Sequence, residues 1–568
     1  MNEAEDELIF LPLGGAGEIG MNLNLYGADG KWLMVDCGVT FADDHLPGID
    51  LLTADPTFIS ERSKDLVALA LTHAHEDHIG AVAHLWPRLR CPIYATPFTA
   101  AMLRRKLAEV GLEGRVPLHI IGFGEAHQLG PFNVTWIGIT HSIPEGSALA
   151  IRTRQGLILH SGDWKLDPEP LLGKATEADL FRAVGDEGVL ALICDSTNVF
   201  NPGTSGSEAA VRDSLMKLVA NRTGRVMVTT FASHVSRLST LAKVAAAHGR
   251  EVALVGRSMW RAVEAAREAG YLKDLPKLLT DEEAAWIPRD KLLIIAAGAQ
   301  GEGRGALARI TFGDHPNVKL HDGDLVIFSS KIIPGNEKSV GRIINKLVTD
   351  GIEVLTERHA FVHVSGHPAR DELRQLYEWI RPRIAIPVHG EAMHLVEHVK
   401  LAKSLGVPET VLVANGKVVR LAPGPAAIVD HVPVGRLALE GKTLIATDSE
   451  VIRARRRMRD GGTVTVTVVI DEDGALVEDP RVLALGLGNQ DDLDAFAELR
   501  DTVVRDIERM SAKSLRDISG VELTIRRSVN RVVRDGWGKR PLVEVQVIAL
   551  PGRLTTRALR AAGGGRRR

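Results

Sequence analysis

The sequence predicts an α/β protein with several domains, and three observations support this prediction. The 568 residues, of which 45% are hydrophobic and 25% charged, are enough for two or three hydrophobic cores. Short apolar runs typical of buried strands alternate with helical segments along most of the chain. Several of these runs end in histidine or aspartate, most densely in LTHAHEDHIG at residues 71–80. We therefore expect polar clusters at the ends of strands, where functional sites commonly lie.

The composition narrows the classes of protein that fit. A formal net charge of −3 at pH 7 argues against a chain that binds polyanions over its whole surface, but it leaves room for a local basic channel. Cys37, Cys91 and Cys194 are far apart and odd in number, so neither a disulfide framework nor a thiolate zinc site is indicated. The N-terminus is acidic, and no apolar run is long enough to span a bilayer. We expect a cytoplasmic protein without an export signal or a membrane anchor.

The densest polar cluster directly follows an apolar run typical of a buried strand. Side chains two apart on an extended strand point the same way, so His73 and His75 can offer nitrogens to one ion. The chain then turns into a predicted helix at residues 79–89, so Asp77 and His78 can face a second ion close to the first. A carboxylate and neutral imidazoles suit Zn²⁺ or Mn²⁺. The alternative is a solvated polar turn in which Asp77 caps the helix.

This cluster resembles the metal signature of the metallo-β-lactamase superfamily, whose members bind one or two metal ions. The resemblance implies a four-layer αββα sandwich. In the superfamily order the next ligand falls at His141, after a predicted strand at residues 132–139, and we assign it to the ion held by His73 and His75. The apolar strand GLILH then delivers Asp163, whose carboxylate can bridge both ions.

A nearly independent α/β unit interrupts this sandwich. After the strand VLALICDS, which contains Asp195, strands alternate with helices in the pattern of a parallel sheet. The first domain then resumes with FVHVSGH, which ends in His367, and with IAIPVHG, which contains His389. The elements predicted for the insert are helix 208–219, strand 225–230, a helix from Ser236, strand 251–255, a helix from Met259, and strands 291–296 and 324–328.

An inserted α/β unit, a carboxylate after a strand, an HxSGH run and a late PVHG resemble motifs A, B and C of the β-CASP nucleases. Ten ordered motifs are similar to those of the bacterial ribonuclease J family within the β-CASP group. They are LGGAGEIGMN, THAHEDHIG, THSIP, GDWKLDP, DSTN, FASHVSRL, GRSM, SSKIIPGN, HVSGH and PVHGE. The resemblance covers residues 9–421, and the C-terminal part resembles the same family less specifically.

The resemblance implies a two-metal site. His73, His75 and His141 would hold one ion, Asp77, His78 and His389 the other, and Asp163 would bridge them. We expect Zn²⁺, with Mn²⁺ or Mg²⁺ able to support activity. Two close divalent ions polarise a phosphodiester and activate water for attack on phosphorus.

The same resemblance implies which residues act on the substrate. His367 would protonate the leaving 3′-oxygen and Asp195 would orient its imidazole, as in other acid and orienter pairs. The catalytic residues implied are His367, Asp195 and Asp77. The substrate-binding residues implied are Ser233, His234, Val235, His363, Val364, Ser365, Gly366 and His367.

For function, the resemblance implies a ribonuclease acting on single-stranded RNA in mRNA decay and rRNA maturation. It would be both a 5′-to-3′ exonuclease and an endonuclease, and would prefer 5′-monophosphate ends. His389 favours RNA, because DNA-acting relatives often carry valine there. The resemblance also implies a homodimer or homotetramer formed through the C-terminal domain, and partners in RNA decay. The alternatives are a β-CASP nuclease acting on DNA, a non-catalytic RNA-binding scaffold, and a small-substrate hydrolase with the same metal core.

The predicted domains follow from these motifs and from composition. They are the metallo-β-lactamase core at 1–205, the β-CASP domain at 206–350, the second part of the core at 351–425, a linker at 426–460, a C-terminal α/β domain at 461–555, and a disordered basic tail at 556–568. The C-terminal domain is expected to contain a hairpin across 471–474, helices 493–510 and 521–533, and a last strand at 542–548.

Three stretches keep alternative interpretations. The glycines of residues 13–20 permit a tight hairpin, which we favour, but such glycines can also cradle phosphate. A Ca²⁺ site that uses Asp50 or the region near Asp448 is an alternative to a solvated acidic loop. The basic run RARRRMR at residues 453–459 is typical of a solvated helix face and is also a candidate phosphate contact.

Overall fold

The computed structural model describes residues 6–43, 45–333, 335–488 and 493–550, without the side chains of residues 493–495 and 512. The tail at 556–568, which the sequence predicts to be disordered, lies outside these residues. The chain forms two compact units: one comprises the described residues of Met1–Phe41 and Leu51–Leu444, and the other those of Ala42–Asp50 and Ile445–Arg568. In the described part of the chain, no helix is both long and apolar enough to cross a membrane.

Two large sheets form the centre of the first unit. The eight strands of one sheet lie in the order Ala427–His431, Lys417–Ala422, Leu8–Gly14, Leu23–Ala28, Lys31–Val35, Leu66–Ala70, Ile93–Ala95 and Leu118–Ile120. The seven strands of the other lie in the order Ala126–Leu129, Phe132–Gly138, Ser147–Thr153, Gly156–His160, Val189–Asp195, Ile384–Val388 and Glu409–Thr410. The pairing of Val189–Asp195 with Ile384–Val388 shows that the first domain resumes after the insert.

The two sheets pack face to face over one hydrophobic core. Val35 enters this core from the eight-stranded sheet, and Trp136, Ile158 and Ile386 enter it from the seven-stranded sheet. All four side chains are fully buried, and burying a large apolar side chain contributes roughly 1.5–3 kcal/mol. Leu33, two residues before Val35, joins the same core because alternate side chains of a strand share a face.

Helices cover the outer faces and complete the predicted four-layer αββα sandwich. Phe181 and Leu376 pack with Leu192 of the seven-stranded sheet in a second core. On the eight-stranded sheet, the ring of Phe58 meets the ring of Trp32 edge-on, with centroids 5.3 Å apart. The helices of the sandwich are Thr57–Ser60, Glu76–Ile79, Val82–Leu89, Pro97–Glu109, Ala178–Asp186, Arg370–Ile380 and Ala392–Ser404.

The insert contains a parallel sheet, as its alternating pattern predicts. Its six strands are all parallel and lie in the order Leu278–Leu279, Glu251–Val255, Leu292–Ala296, Val226–Thr229, Leu325–Phe328 and Glu353–Leu355. Its helices are Glu208–Val219, Val235–Ala247, Arg257–Glu268, Asp281–Ala284, Ala306–Thr311 and Glu337–Thr349, with a 3₁₀ turn at Arg289–Lys291. The sheet includes Glu353–Leu355, which lies just beyond the boundary expected at residue 350.

The segment 426–460, for which the sequence predicts a linker, is largely folded. Ala427–His431 pairs with Lys417–Ala422 at the edge of the eight-stranded sheet. Arg436–Glu440 pairs with Leu51–Ala54 in a four-stranded sheet. That sheet has the order Thr443–Ala446, Arg436–Glu440, Leu51–Ala54 and Val39–Phe41. Pro423 and Pro425 just before the segment favour a linker in the sequence, but edge strands tolerate nearby proline and need only a few apolar residues, so the sequence does not reveal this pairing.

The second unit is an α/β unit around a three-stranded sheet. Its strands lie in the order Arg481–Leu485, Thr463–Ile470 and Leu542–Ala549, the first pair antiparallel and the second parallel. Its helices are Glu450–Gly461, Leu493–Glu508, Ala512–Leu515 and Ile518–Trp537. Buried side chains from Thr463–Ile470 pack with those of Leu493–Glu508 and Ile518–Trp537 in a separate core.

Candidate metal centre

Several strands of the sandwich carry polar residues just beyond or at their carboxyl ends, and these ends lie at one edge. Four strands of the seven-stranded sheet run in the same direction: Phe132–Gly138, Gly156–His160, Val189–Asp195 and Ile384–Val388. The polar residues at their ends are His141, Asp163, Asp195 and His389. The facing sheet contributes Leu66–Ala70, which leads into the loop with His73, His75, Asp77 and His78. The fold thus brings together all seven predicted ligands.

The first group of possible ligands is His73, His75, His141 and Asp163. One donor atom from each lies within 4.8 Å of all the others. His75 Nδ1 is 3.0 Å from both His73 Nε2 and His141 Nε2. Asp163 Oδ2 is 3.8 Å from His73 Nε2 and 4.0 Å from His141 Nε2. Three nitrogens and a carboxylate oxygen therefore surround one point.

The second group consists of Asp77, His78, Asp163 and His389. Asp163 Oδ2 is 3.1 Å from His78 Nε2, and its Oδ1 is 3.6 Å from His389 Nε2. Asp77 Oδ2 lies 3.1 Å from His389 Nε2. Both groups contain the Asp163 carboxylate, and His389 also belongs to a third group with Asp195 and His367.

Four of the imidazoles are fixed by a hydrogen bond on the ring nitrogen that faces away from the cluster. The partner of His73 is Thr72 Oγ1 at 3.0 Å, and the partner of His78 is Asp36 Oδ2 at 2.7 Å. His141 Nδ1 lies 2.6 Å from the Gly366 carbonyl oxygen, and His389 Nδ1 lies 2.8 Å from Thr197 Oγ1. Such outer partners fix ring orientation and tautomer, which directs the other nitrogen toward an ion.

Burial and charge act differently on the two groups. Burial lowers the pKa values of His73 and His141 well below the ordinary value of an imidazole, and lowers the pKa of His75 to about 4. All three rings are therefore neutral at pH 7. Burial also lowers the pKa of His389, but the attraction of Asp163, together with Asp77, outweighs it and raises that pKa to about 9. The second group is therefore the more negative environment.

These donors fit a divalent metal ion. Imidazole nitrogens and carboxylate oxygens bind Zn²⁺ and Mn²⁺, and an imidazole that is protonated without metal loses its proton when it binds the ion. Asp163 is 2% exposed, and a buried carboxylate requires a positive partner to offset its lost hydration. A cation held between the two groups would supply that charge.

His367 and Asp195 form a pair beside the metal groups. His367 Nδ1 is 2.8 Å from Asp195 Oδ2 and 3.8 Å from Asp163 Oδ2. Burial lowers the pKa of His367, but the negative charges of Asp195 and Asp163 outweigh it and raise that pKa above its ordinary value. The Asp195 carboxylate is fixed in turn, because its Oδ1 accepts hydrogen bonds from the Thr197 backbone N–H and hydroxyl. The His367 imidazole is 23% exposed, so solvent reaches it.

The turn that carries His367 is tightly packed on this centre. Ser365 Oγ accepts hydrogen bonds from the His367 backbone N–H at 3.1 Å and from Asn198 Nδ2 at 2.7 Å. A Cβ atom at Gly366 would lie 2.8 Å from His141 Cε1 and 2.9 Å from Ser142 Oγ. Val364 is buried beside it, so its side chain packs within the protein.

The other predicted substrate-binding residues surround a buried ion pair. Glu208 and Arg237 are 2% and 0% exposed, and Arg237 Nη2 is 2.9 Å from each carboxylate oxygen of Glu208. His234 Nε2 lies 3.2 Å from Glu208 Oε1, and burial lowers the pKa of both His234 and His363. Val235 is fully buried at the start of helix Val235–Ala247. Ser233, in the preceding turn, is half-buried.

Several contacts that shape the centre involve residues that the sequence did not assign to the site, although the motif DSTN contains Thr197 and Asn198 and the motif LGGAGEIGMN contains Asn22. Thr197 contacts both Asp195 and His389, and Asn198 also donates to the His367 carbonyl oxygen at 3.0 Å. Asn22 Nδ2 lies 3.1 Å from His78 Nε2. His389 has a left-handed backbone (φ 52°), and its N–H donates to the Gly15 carbonyl oxygen at 2.7 Å. The available signals were polar residues immediately after strand ends and the glycines at residues 13–20.

Comparison with known proteins identifies the domains. The family described as Metallo-beta-lactamase superfamily matches residues 21–225, and that described as Ribonuclease J, beta-CASP domain matches residues 223–347. The Zn-dependent metallo-hydrolase RNA specificity domain matches residues 351–413, and the Ribonuclease J C-terminal domain matches residues 450–550.

Curated relatives match over nearly the full chain. A Ribonuclease J from Sinorhizobium meliloti is 46% identical over 95% of this chain and 97% of its own length. The Ribonuclease J of Thermus thermophilus is 35% identical over 96% of each chain, and that of Corynebacterium glutamicum is 38% identical over 96% of this chain and 76% of its own length. Among solved structures, a protein of unknown function from Enterococcus faecalis has a similar fold, with a TM-score of 0.51 and 17% identity over 73% of this chain and 100% of its own.

The fold and the two donor groups define a metal-dependent hydrolase of the metallo-β-lactamase superfamily with an inserted β-CASP domain. With relatives this similar over nearly its whole length, the chain belongs to the ribonuclease J family. It is a metal-dependent ribonuclease that binds RNA and divalent metal ions. The predicted fold class and family are confirmed.

Gly366→Ala should impair the metal centre without unfolding the protein. The added Cβ would push against the His141 ring, whose Nδ1 already contacts the Gly366 carbonyl oxygen. Disturbing such an outer contact typically costs about 10–100-fold in metal affinity or activity. Gly341→Ala is the control, because a Cβ there meets nothing within 4 Å. RNA cleavage rates and metal content measure the effect, and equal values for the two variants would contradict this prediction.

Proposed function

We propose that this ribonuclease uses two divalent metal ions to hydrolyse single-stranded RNA, as a 5′-to-3′ exonuclease and an endonuclease that prefers 5′-monophosphate ends. The observation that carries the proposal is the Asp163 carboxylate, which belongs to two donor groups at once. We expect Zn²⁺ as the ion, with Mn²⁺ or Mg²⁺ able to support activity.

His73, His75 and His141 would hold one ion, Asp77, His78 and His389 the other, and Asp163 both. When bound, two such ions supply charge stabilisation for an in-line displacement at phosphorus and lower the pKa of water. The protein fixes this arrangement through Asp36, Thr72, Thr197 and the Gly366 carbonyl, each bonded to a different ring. Asp77 also counts among the proposed catalytic residues, since its carboxylate faces the same centre.

His367 is the proposed acid for the leaving 3′-oxygen. Asp195 holds its Nδ1 at 2.8 Å and, with Asp163, raises its pKa, so the protonated ring is populated at neutral pH. The far ring nitrogen can then donate a proton as the phosphorus–oxygen bond breaks. Loss of the proton leaves an imidazole that Asp195 keeps in place for the next cycle.

The turn before His367 is the proposed binding site for a phosphate next to the cut. Ser365 offers a hydroxyl and Gly366 a backbone N–H, groups that commonly bind phosphate. His363 and Val364 would shape this turn from inside the protein, because Val364 is 3% exposed and burial lowers the pKa of His363.

A second proposed pocket, for a 5′-monophosphate, uses Ser233, His234 and Val235. These residues lead into helix Val235–Ala247, whose first N–H groups and dipole favour an anion. His234 lacks a side-chain cap hydrogen bond, and its Nε2 lies 3.2 Å from Glu208 Oε1. Recognition of a monophosphate end would let the enzyme advance one nucleotide at a time from the 5′ end, in mRNA decay and rRNA maturation.

The protein is further proposed to act in the cytoplasm, with partners in RNA decay, and to form a homodimer or homotetramer through its C-terminal domain. Leu483, Leu485 and Ile548, on the three-stranded sheet, are 58%, 58% and 46% exposed. Exposed apolar side chains on a sheet face, here beside the polar Thr465 and Glu544, suit contact with a second copy.

Metal analysis tests the two-ion proposal. The purified protein should contain or take up about two divalent ions per chain, and His141→Ala should lose about one of them because a three-nitrogen group loses a ligand. His431→Ala, at an exposed strand position, is the matched control and should keep both. A wild-type protein that binds no divalent ion would favour the scaffold alternative. A content of one ion per chain in the wild-type protein and in both variants would contradict the two-ion site.

The end preference is tested with RNAs of one sequence that carry a 5′-monophosphate, triphosphate or hydroxyl. Mononucleotides should be released from the monophosphate RNA about tenfold faster or more, since a hydrogen bond to a charged group contributes roughly 1.5–3 kcal/mol. The measurement uses RNA labelled at either terminus, with His78→Ala as the inactive control. Internal fragments formed equally from all three RNAs would contradict the end pocket, and faster cleavage of matched DNA would favour the DNA alternative.

A change of leaving group tests the role of His367. His367→Ala should slow cleavage of ordinary RNA by about 10²–10⁴-fold, the usual contribution of a general acid. RNA with sulfur in place of the bridging 3′-oxygen needs no proton on its leaving group, so the variant should cleave it at nearly the wild-type rate. Equal losses on both substrates would assign His367 to binding or folding instead.

A further inference from the structure

A hollow lined with arginines lies on the second unit, on one face of helix Ile518–Trp537. Its volume is about 370 Å³. The polar residues that line it are Arg526, Arg527, Asn530, Arg531, Arg534 and Arg540. The arginine hollow, as we call it, contains five guanidinium-bearing side chains and a single apolar residue, Leu523.

Helical geometry explains why these side chains meet. Arg527, Arg531 and Arg534 are separated by four and three residues, which places them on one face of a helix. The helix ends at Gly538, whose left-handed backbone (φ 65°) turns the chain so that Arg540 reaches the same hollow.

The positive charge of the hollow is only partly offset by carboxylates. Arg534 Nε is 3.1 Å from Asp535 Oδ1, and Arg531 Nη2 is 3.8 Å from Asp506 Oδ2. Among residues 6–43, 45–333, 335–488 and 493–550, no carboxylate forms an ion pair with the remaining three, Arg526, Arg527 and Arg540.

The basic run at residues 453–459 differs in this respect. Glu450 accepts hydrogen bonds from Arg453 and Arg457, and Asp460 accepts one from Arg459. Its charges are therefore compensated in part by carboxylates of the same helix. The arginine hollow is the stronger candidate for an anion.

We propose that the arginine hollow binds the phosphodiester backbone of RNA, as a contact separate from the metal centre. Arginine forms bidentate hydrogen bonds with phosphate oxygens. Five neighbouring guanidinium groups repel one another, and an anion bound between them offsets that repulsion. An RNA strand offers a row of phosphates, whereas a hollow with one apolar residue provides little surface for a base or an apolar peptide. The inference depends on RNA binding by this family and not on the proposed exonuclease activity.

The test compares two triple variants of the full-length, metal-loaded protein. The hollow variant carries Arg526→Gln, Arg527→Gln and Arg540→Gln. The control variant carries Arg481→Gln, Arg500→Gln and Arg516→Gln, which remove the same charge from exposed positions of the same unit outside the hollow. Both are made in a His367→Ala background, and gel analysis verifies that the RNA stays intact while fluorescence anisotropy measures its binding.

The hollow variant should bind RNA of about 30 nucleotides roughly tenfold or more weakly than the control variant, because three phosphate contacts are lost. The slope of log K against log salt should fall by about 2, at about 0.7 per single-stranded phosphate contact.

Equal binding of the long RNA by the two variants would overturn the proposal. So would a change of oligomeric state in the hollow variant alone, which would identify the hollow as a contact between copies of the chain. These outcomes are distinct from a failure of the proposed function, in which the wild-type protein would cleave no RNA even though the hollow binds it.

Discussion

The burial of carboxylates among imidazoles at one edge of the sandwich is the constraint on which the rest of the structure depends. Asp36 and Asp163 are almost wholly buried, and such groups are tolerated only with charged or hydrogen-bonding partners. Those partners come from strands far apart in the chain, so every strand must end at the same level. A shift of one residue in any of them would turn its terminal side chain to the opposite face. The hydrophobic core between the sheets therefore fixes the register that the centre requires.

The insert takes part in this arrangement through a second buried charge pair. Arg237, held by Glu208, donates to the Val362 carbonyl oxygen at 2.9 Å and to Ser329. Although burial raises the pKa of Glu208, attraction to Arg237 and His234 outweighs it and holds that pKa well below its ordinary value. Val362 begins the turn that leads to His367. A helix of the β-CASP domain thus positions the turn that carries the proposed acid, which explains how the insert can influence chemistry in the sandwich although none of its described residues belongs to a donor group.

The sequence could predict the site residues that local spacing or an ordered motif identifies. His73 and His75 share one donor group and Asp77 and His78 the other, as their spacing across a strand-to-helix turn predicts. The family motifs extended the predicted donor set to His141, Asp163 and His389, which follow later strands. Thr197 and Asn198 lie in the DSTN motif but were assigned no role, because short polar residues after a strand are common in turns and only their contacts across the fold distinguish them. The strands within 426–460 were missed because edge strands carry weak apolar patterns.

The ordered motifs indicated the family by resemblance. By itself, the sequence predicted the α/β class, the interruption of one domain by another and the candidate donor residues. These properties depend on periodicity and on side-chain chemistry, which are local and can be read directly from the amino-acid sequence. The family motifs implied that Asp163 is shared and that Asp195 orients His367, but only the tertiary structure decided the distances that bring these residues together. It alone placed Arg540 with the arginines of helix Ile518–Trp537. These are distances between residues remote in the chain, and they are fixed by strand register and helix packing rather than by any single segment.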